Sequence, residues 1–229
     1  MFSIRPNQTQ TIARPGYQSG LLTHELLRKT YFLLSLTLLF SAIMAMVGMR
    51  AGAPQLHWLV QIVGMFGLLF LTMALRNSKW GLLSVFAFTG FTGYTLAPML
   101  TAYITAFSNG KELIFTSLGA TGVIFVALSG YVLTTKKDFS FLGGFLFIAL
   151  LGAILVSIGG MFFKLGMLEV ITSGAFVVIF SGFILYDTSR ILNNGETSYV
   201  MATISLYLDI LNLFLSLLRV LSYFGGNRN

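Results

Sequence analysis

The stretch FSFLGGFLFIALLGAILVSIGGMFF, Phe139–Phe163, runs for twenty-five residues without a single charge. A helix needs ~20 mostly apolar residues to cross ~30 Å of hydrocarbon, so this run alone is long enough to span a bilayer. Six further runs of the same kind flank it, at residues 30–49, 56–75, 80–103, 112–134, 168–191 and 201–224. The connections are short and hold the polar punctuation: Arg50 to Pro54, Arg76 to Lys79, Ser108 to Lys111, Lys136 to Asp138 and Asn193 to Glu196. Inside lipid every backbone amide must be bonded within the protein, so runs of this length are helices. A transmembrane barrel would show ~10-residue alternating strands instead, and these runs do not alternate. The fold predicted is an all-α polytopic membrane domain over residues 30–226, between a polar tail (1–29) and a short polar end (227–229).

Composition points the same way. The 229-residue chain is 56% hydrophobic and 9% charged, against roughly a quarter charged in an average soluble domain. Too few solvated side chains exist to cover a water-soluble globule. The net charge of +7 comes from fourteen Lys and Arg scattered singly or in pairs between apolar runs, with none of the clustering that marks a nucleic-acid-binding face. The absence of cysteine excludes disulfides, Cys-based metal sites and thiol catalysis. Residues 1–29 hold Pro6, Pro15 and Gly16 and no apolar core, so they read as a flexible tail and not as a signal peptide.

The distribution of cations sets an expected orientation. With the amino terminus in the cytoplasm, nine cations (Arg5, Arg14, Arg28, Lys29, Arg76, Lys79, Lys136, Lys137, Arg190) lie on that side and four (Arg50, Lys111, Lys164, Arg228) on the other. The positive-inside rule favours that arrangement.

Of seven acidic residues, Glu25, Glu112, Asp138, Glu169 and Glu196 fall in the tail, in loops or at helix ends. Asp187 and Asp209 fall inside apolar sequence. A carboxylate at membrane depth costs a few kcal/mol, so it faces a partner or a water-filled cavity. Asp187 is ~6 Å from the end of the sixth run and Asp209 ~12 Å from the start of the seventh, at 1.5 Å per residue. The two runs are antiparallel about one short loop, which brings both carboxyls into the same half of the membrane. On the seventh run, Ser205, Asp209, Asn212, Ser216 and Arg219 recur at spacings of 4, 3, 4 and 3, a polar stripe on one helical face. Such a stripe is expected to point into the bundle and make the seventh helix central.

Simpler explanations stand beside these. Arg190 follows Asp187 by three residues, the spacing of an ordinary surface ion pair. The stripe serves equally as interhelical glue, and Arg76 as a cation snorkelling to the headgroups. His24 and His57 carry no assigned role, and glycines such as Gly90 and Gly93 read as close-packing sites.

Two facing carboxylates in a low dielectric cannot both ionise easily, so such a pair shares a proton. Deprotonation leaves two like charges that must separate or recruit a cation, and hard oxygen ligands suit Ca²⁺, although two alone make a weak or transient site.

Four segments carry a family resemblance: Thr30-Tyr-Phe-Leu-Leu-Ser-Leu-Thr, the Gly-Phe-Thr-Gly-Tyr-Thr-Leu-Ala-Pro stretch ending at Pro98, the run from Tyr131 to Gly144, and Gly195-Glu-Thr-Ser through Tyr207. With Tyr-Asp-Thr-Ser around Asp187 and Leu-Tyr-Leu-Asp at Asp209, the chain resembles the Bax inhibitor-1 family of seven-helix membrane proteins, its bacterial YccA branch above all. The resemblance implies six helices around a central seventh, in the bacterial inner membrane. In calcium-leak members it implies a pH-sensitive latch of paired aspartates, matched here by Asp187 and Asp209, assisted by an arginine for which Arg76 is the candidate. In the YccA branch it implies binding and restraint of the membrane protease FtsH.

Three functions are therefore weighed. The first is a pH-gated calcium leak with calcium as permeant ion and no cofactor. The second is a non-catalytic modulator of FtsH, contacted through the tail and the cytoplasmic loops. The third, an intramembrane aspartyl protease, lacks its motif: Leu206-Tyr207-Leu208 precedes Asp209 where Gly-x-Gly is required. No P-loop, His-Glu-x-x-His or Gly-x-Ser-x-Gly occurs either, and the chain is expected not to be an enzyme.

Overall fold

In a computed structural model the chain is described over residues 15–163, 166–193 and 195–227. The order is α1 (Pro15–Arg50), α2 (Trp58–Leu75), α3 (Trp80–Ala106), α4 (Gly110–Thr135), α5 (Leu142–Phe163), α6 (Gly166–Leu192) and α7 (Tyr199–Gly225). All seven are long and apolar enough to cross a membrane, and the predicted all-α polytopic fold is the observed one. The α2–α3, α4–α5 and α6–α7 turns share one end of the bundle, called here the α6–α7 end. The remaining turns and the end of α7 lie at the other.

α1 is longer than its apolar run. The sequence reading placed residues 1–29 in a flexible tail, but the helix already begins at Pro15. Leu26 and Leu27 pack against the core, and Glu25 pairs with Lys29 at 2.7 Å one turn apart, so the polar segment is drawn into the helix that follows it. Residues 1–14 and 228–229, with Arg5, Arg14 and Arg228, lie outside the described residues, as does Lys164.

α7 is the axis. Half of its span is buried, against 6% in α2 and in α5. α1, α3, α4 and α6 pack on it directly, while α2 lies on α3 and α5 on α6. The face of α7 that carries Leu206, Tyr207, Leu213 and Leu218 is closed from the membrane, each at 1% exposure or less. Tyr207 shares a 2.7 Å hydrogen bond with Ser41 of α1 and sets its ring edge-on to Phe88 of α3.

Helix ends are fixed by capping chemistry. Gly52 has φ +62° and closes α1: its amide donates to Met49 O, and the amide of Ala53 to Gly48 O at 2.8 Å, a Schellman pair that glycine makes without strain. Lys136 ends α4 in the same left-handed region, at φ 53°, without glycine's freedom. α1 and α3 form the closest seam, because a Cβ on Gly93 would collide with the main-chain carbonyl of Ser41. At the far end, Asn109 Nδ2 donates to Gly225 O at 2.8 Å, Asn227 N donates to Asn109 Oδ1 at 3.0 Å, and Ser108 N donates to Asn227 O at 2.9 Å. That network ties the end of α7 to the α3–α4 turn.

Two stability predictions follow from these contacts. Gly93→Ala is expected to lower the thermal midpoint in detergent by the equivalent of about 1–3 kcal/mol, the usual cost of overpacking. Gly119→Ala, which faces open space, should leave the midpoint unchanged, and equal losses in both would refute the seam. Lys136→Gly should hold or raise stability, by up to ~1 kcal/mol, whereas Lys136→Val should lower it. The same midpoint measurement checks both.

Candidate functional site

Asp187 sits five residues before the end of α6 and Asp209 ten residues into α7, depths of ~8 Å and ~15 Å at 1.5 Å per residue. Their helices pack side by side. Both side chains are enclosed, at 8% and 6% exposure, and each carboxyl contributes to the electrostatic surroundings of the other. Asp209 Oδ2 is fully buried and has no hydrogen-bond donor among the described residues. The aspartates read from the sequence as a pair are thus neighbours in space.

The cation beside them is not the expected one. Arg190 Nη1 approaches Asp187 Oδ1 at 3.5 Å, and Nη2 of the same guanidinium approaches Glu196 Oε2 at 3.6 Å. Arg190 also donates to Gly195 O at 3.4 Å and lies over the ring of Tyr186. Arg76, expected as latch partner, is exposed at the end of α2 and belongs to no ion pair among the described residues. The reason is placement: α2 packs on α3 outside the bundle, away from the α6–α7 seam. The simple ion pair between Asp187 and Arg190 and the aspartate pair coexist, with Asp187 common to both.

The described residues of the α6–α7 connection are hydrogen-bonded around this group. Glu196 Oε1 accepts the amides of Thr197 and Ser198, each at 2.9 Å, and Ser198 caps α7 through Met201 N. Ser189 Oγ accepts from Phe139 N at 2.8 Å and from Asn193 Nδ2 at 3.2 Å, and donates to Asp138 Oδ1 at 3.3 Å. Thr188 and Ser129 share a bond at 3.2 Å. Outside the membrane-spanning segments, hydrogen bonds from Ser140 hold the Asp138 carboxyl below the usual carboxylate range. The sequence assigns no role in the site to Glu196, Ser189 or Ser129, although Glu196 and Ser189 fall within the motifs that carry the family resemblance. The one available signal was Arg190 and Glu196 at either end of a short interhelical loop, opposite charges that a tight turn brings together.

The polar stripe on α7 departs from expectation in direction. Asp209 and Ser216 are buried, but Ser205, Asn212 and Arg219 are only half-buried. The tightest face of α7 is the apolar one, because Leu and Ile fill a close-packed seam without needing donors. The stripe instead borders a crevice of about 240 Å³ between α5, α6 and α7, lined by Asn212, Ser216, Arg219, Leu150, Ile154 and Phe180 among others. Asn212 Nδ2 donates to Leu208 O at 2.7 Å and Ser216 Oγ to Asn212 O at 2.6 Å, so both satisfy themselves on their own helix. Arg219 pairs with Glu169 of α6 at 3.6 Å and also lines a second cavity, about 360 Å³, opening at the far end with Tyr103, Ser222 and Tyr223.

Chemically, one guanidinium faces Asp187 and Glu196, and Asp209 adds a second aspartate beside Asp187. Two unit charges ~4 Å apart repel by about 4 kcal/mol at an effective dielectric of ~20, and one proton between the aspartates removes that repulsion. Among the described residues no three His, Asp or Glu side chains converge to hold a metal ion, so a calcium ion at this point would meet two carboxylates.

Residues 23–227 match the family model described as "Inhibitor of apoptosis-promoting Bax1". An uncharacterized protein of Pseudomonas aeruginosa is 49% identical over 201 residues, 88% of this chain and 90% of the relative. The Escherichia coli K12 protein named "Modulator of FtsH protease YccA" is 45% identical over 205 residues, 90% of this chain and 93% of its own length. An uncharacterized membrane protein of Vibrio cholerae is 45% identical over 206 residues, covering 90% and 92%. A match that starts in the first helix and ends past the seventh reaches all seven helices, and the chain is a seven-helix membrane protein of the Bax1-inhibitor family.

Proposed function

We propose that this protein is a proton-sensitive calcium leak of the bacterial inner membrane, with its amino terminus in the cytoplasm and Asp187 and Asp209 as the latch. The observation that carries the reading is the enclosure of Asp209 Oδ2, a carboxyl oxygen with no donor inside an apolar bundle, against a second carboxyl. With one proton shared, the pair bridges α6 to α7 and the bundle stays closed. Raising the pH removes that proton, and two anions with only Arg190 between them and neutrality push the helices apart. The crevice bordered by Asn212 and Ser216 is the space such a movement would widen, and separated carboxylates offer a permeating Ca²⁺ hard oxygen ligands without trapping it. Neither step requires catalysis.

A second reading is favoured by the relatives: a protein 45% identical over nine-tenths of this chain carries a name describing modulation of FtsH. In that role the bundle is a scaffold and the segment ahead of Thr23, with the turns of the α6–α7 end, forms the contact. The two roles are compatible, since a bundle that changes shape with pH can alter what it presents to a partner.

Two measurements test these readings. In calcium-loaded liposomes, efflux through the wild-type chain should rise by up to about tenfold per pH unit as the latch deprotonates, the limit for release of one proton. Asp187→Asn and Asp209→Asn should each flatten that profile; unchanged flux and pH response in both would remove the latch. For the second reading, the full chain should co-purify with FtsH from membrane extracts and lose that association when residues 2–14 are deleted. A failure of the full chain to associate would count decisively against it.

A further inference from the structure

We propose that the α2–α3 turn binds an anionic phospholipid, with Arg76 and Lys79 on its phosphate and an acyl chain along the start of α3. The site is independent of the latch. Arg76, Asn77, Ser78 and Lys79 make up the whole connection between Leu75 and Trp80, so both cations are held within four residues by a tight turn. Ser78 N donates to Leu75 O at 2.8 Å and Gly81 N to Ser78 O at 3.0 Å, which fixes the turn. Among the described residues Lys29 pairs with Glu25, Arg190 with Asp187 and Glu196, and Arg219 with Glu169, while Arg28, Arg50, Lys111, Lys136 and Lys137 stand singly or in pairs without an ion-pair partner and without an adjoining groove. Arg76 and Lys79 are exposed and have no acidic partner among the described residues.

Directly below them lies a groove of about 510 Å³, lined by Lys79, Trp80, Leu82, Leu83 and Phe86. Trp80 is 63% exposed at the end of a membrane-spanning helix, where indole rings sit at headgroup depth. The groove then descends from Trp80 to Phe86, ~9 Å along the helix axis, on purely apolar side chains. At its lower end Phe86 packs edge-on against Phe40 of α1, ring centres 5.4 Å apart. Two unpaired cations at headgroup level above an apolar trough complement a lipid with net negative head and extended chain. A zwitterionic head would bring its own cation against Arg76 and Lys79, which have no acidic partner among the described residues to receive it.

The test is native mass spectrometry of the full chain in mild detergent, titrated with phosphatidylglycerol or with phosphatidylethanolamine of the same chains. Wild type should take up a first phosphatidylglycerol in clear preference to phosphatidylethanolamine. Removal of charge in the R76Q/K79Q double variant should weaken it by about fivefold per cation. K136Q/K137Q removes two cations from the same end of the bundle, away from the groove, and should bind as wild type does. Leu83→Trp fills the groove with the charge unchanged and should also lose binding, which separates a built site from general attraction. Equal phosphatidylglycerol binding by the two double variants, undiminished binding by Leu83→Trp, or no preference between the two lipids in wild type would each overturn the proposal.

Discussion

The constraint on which this structure turns is a carboxyl group sealed in hydrocarbon. Asp209 lies on the most buried helix of the bundle, and one of its oxygens has no donor among the described residues. Water would meet that need at the surface; here the neighbour is Asp187. An unpaired polar atom in a low dielectric costs far more than a paired one, so the state of this contact weighs heavily on how α6 sits against α7. Arg190 extends the arrangement outward, because the guanidinium that touches Asp187 also binds the Glu196 side chain and the Gly195 carbonyl of the following loop.

The rest of the bundle divides into a firm part and a looser one. α1, α3 and the apolar face of α7 interlock through glycine contacts, the Ser41–Tyr207 bond and the Phe88–Tyr207 rings. The outer end of α7 is pinned by Asn109 and Ser108. On the opposite flank, α5 packs on α6, and the Asn212 crevice lies between them and α7.

Much of this was legible in the sequence because lipid leaves the backbone few choices. Seven uninterrupted apolar runs can only be helices, and intramembrane acids stand out against them; Asp187 and Asp209 could be matched by depth with nothing but residue counting. What counting does not give is azimuth. Arg76 lies at the same end of the bundle as the latch, yet α2 packs on α3, and in this structure it makes no ion pair with the aspartates. The stripe on α7 was correctly placed on one face, but which neighbour that face meets depends on how the apolar side chains interlock. The early start of α1 was hidden for a local reason: Glu25 and Lys29 read as polar tail until they are seen as an i, i+4 pair on a helix whose leucines reach the core.

The central claim is that Asp187 and Asp209 hold one proton between them, and pH-difference infrared spectroscopy reads that proton directly. The wild-type protein in lipid should show a protonated carboxyl band at low pH that vanishes as the pH is raised, and Asp209→Asn should abolish that transition. A band that titrates identically in the variant, or no protonated carboxyl at any pH where the protein is folded, would contradict the account.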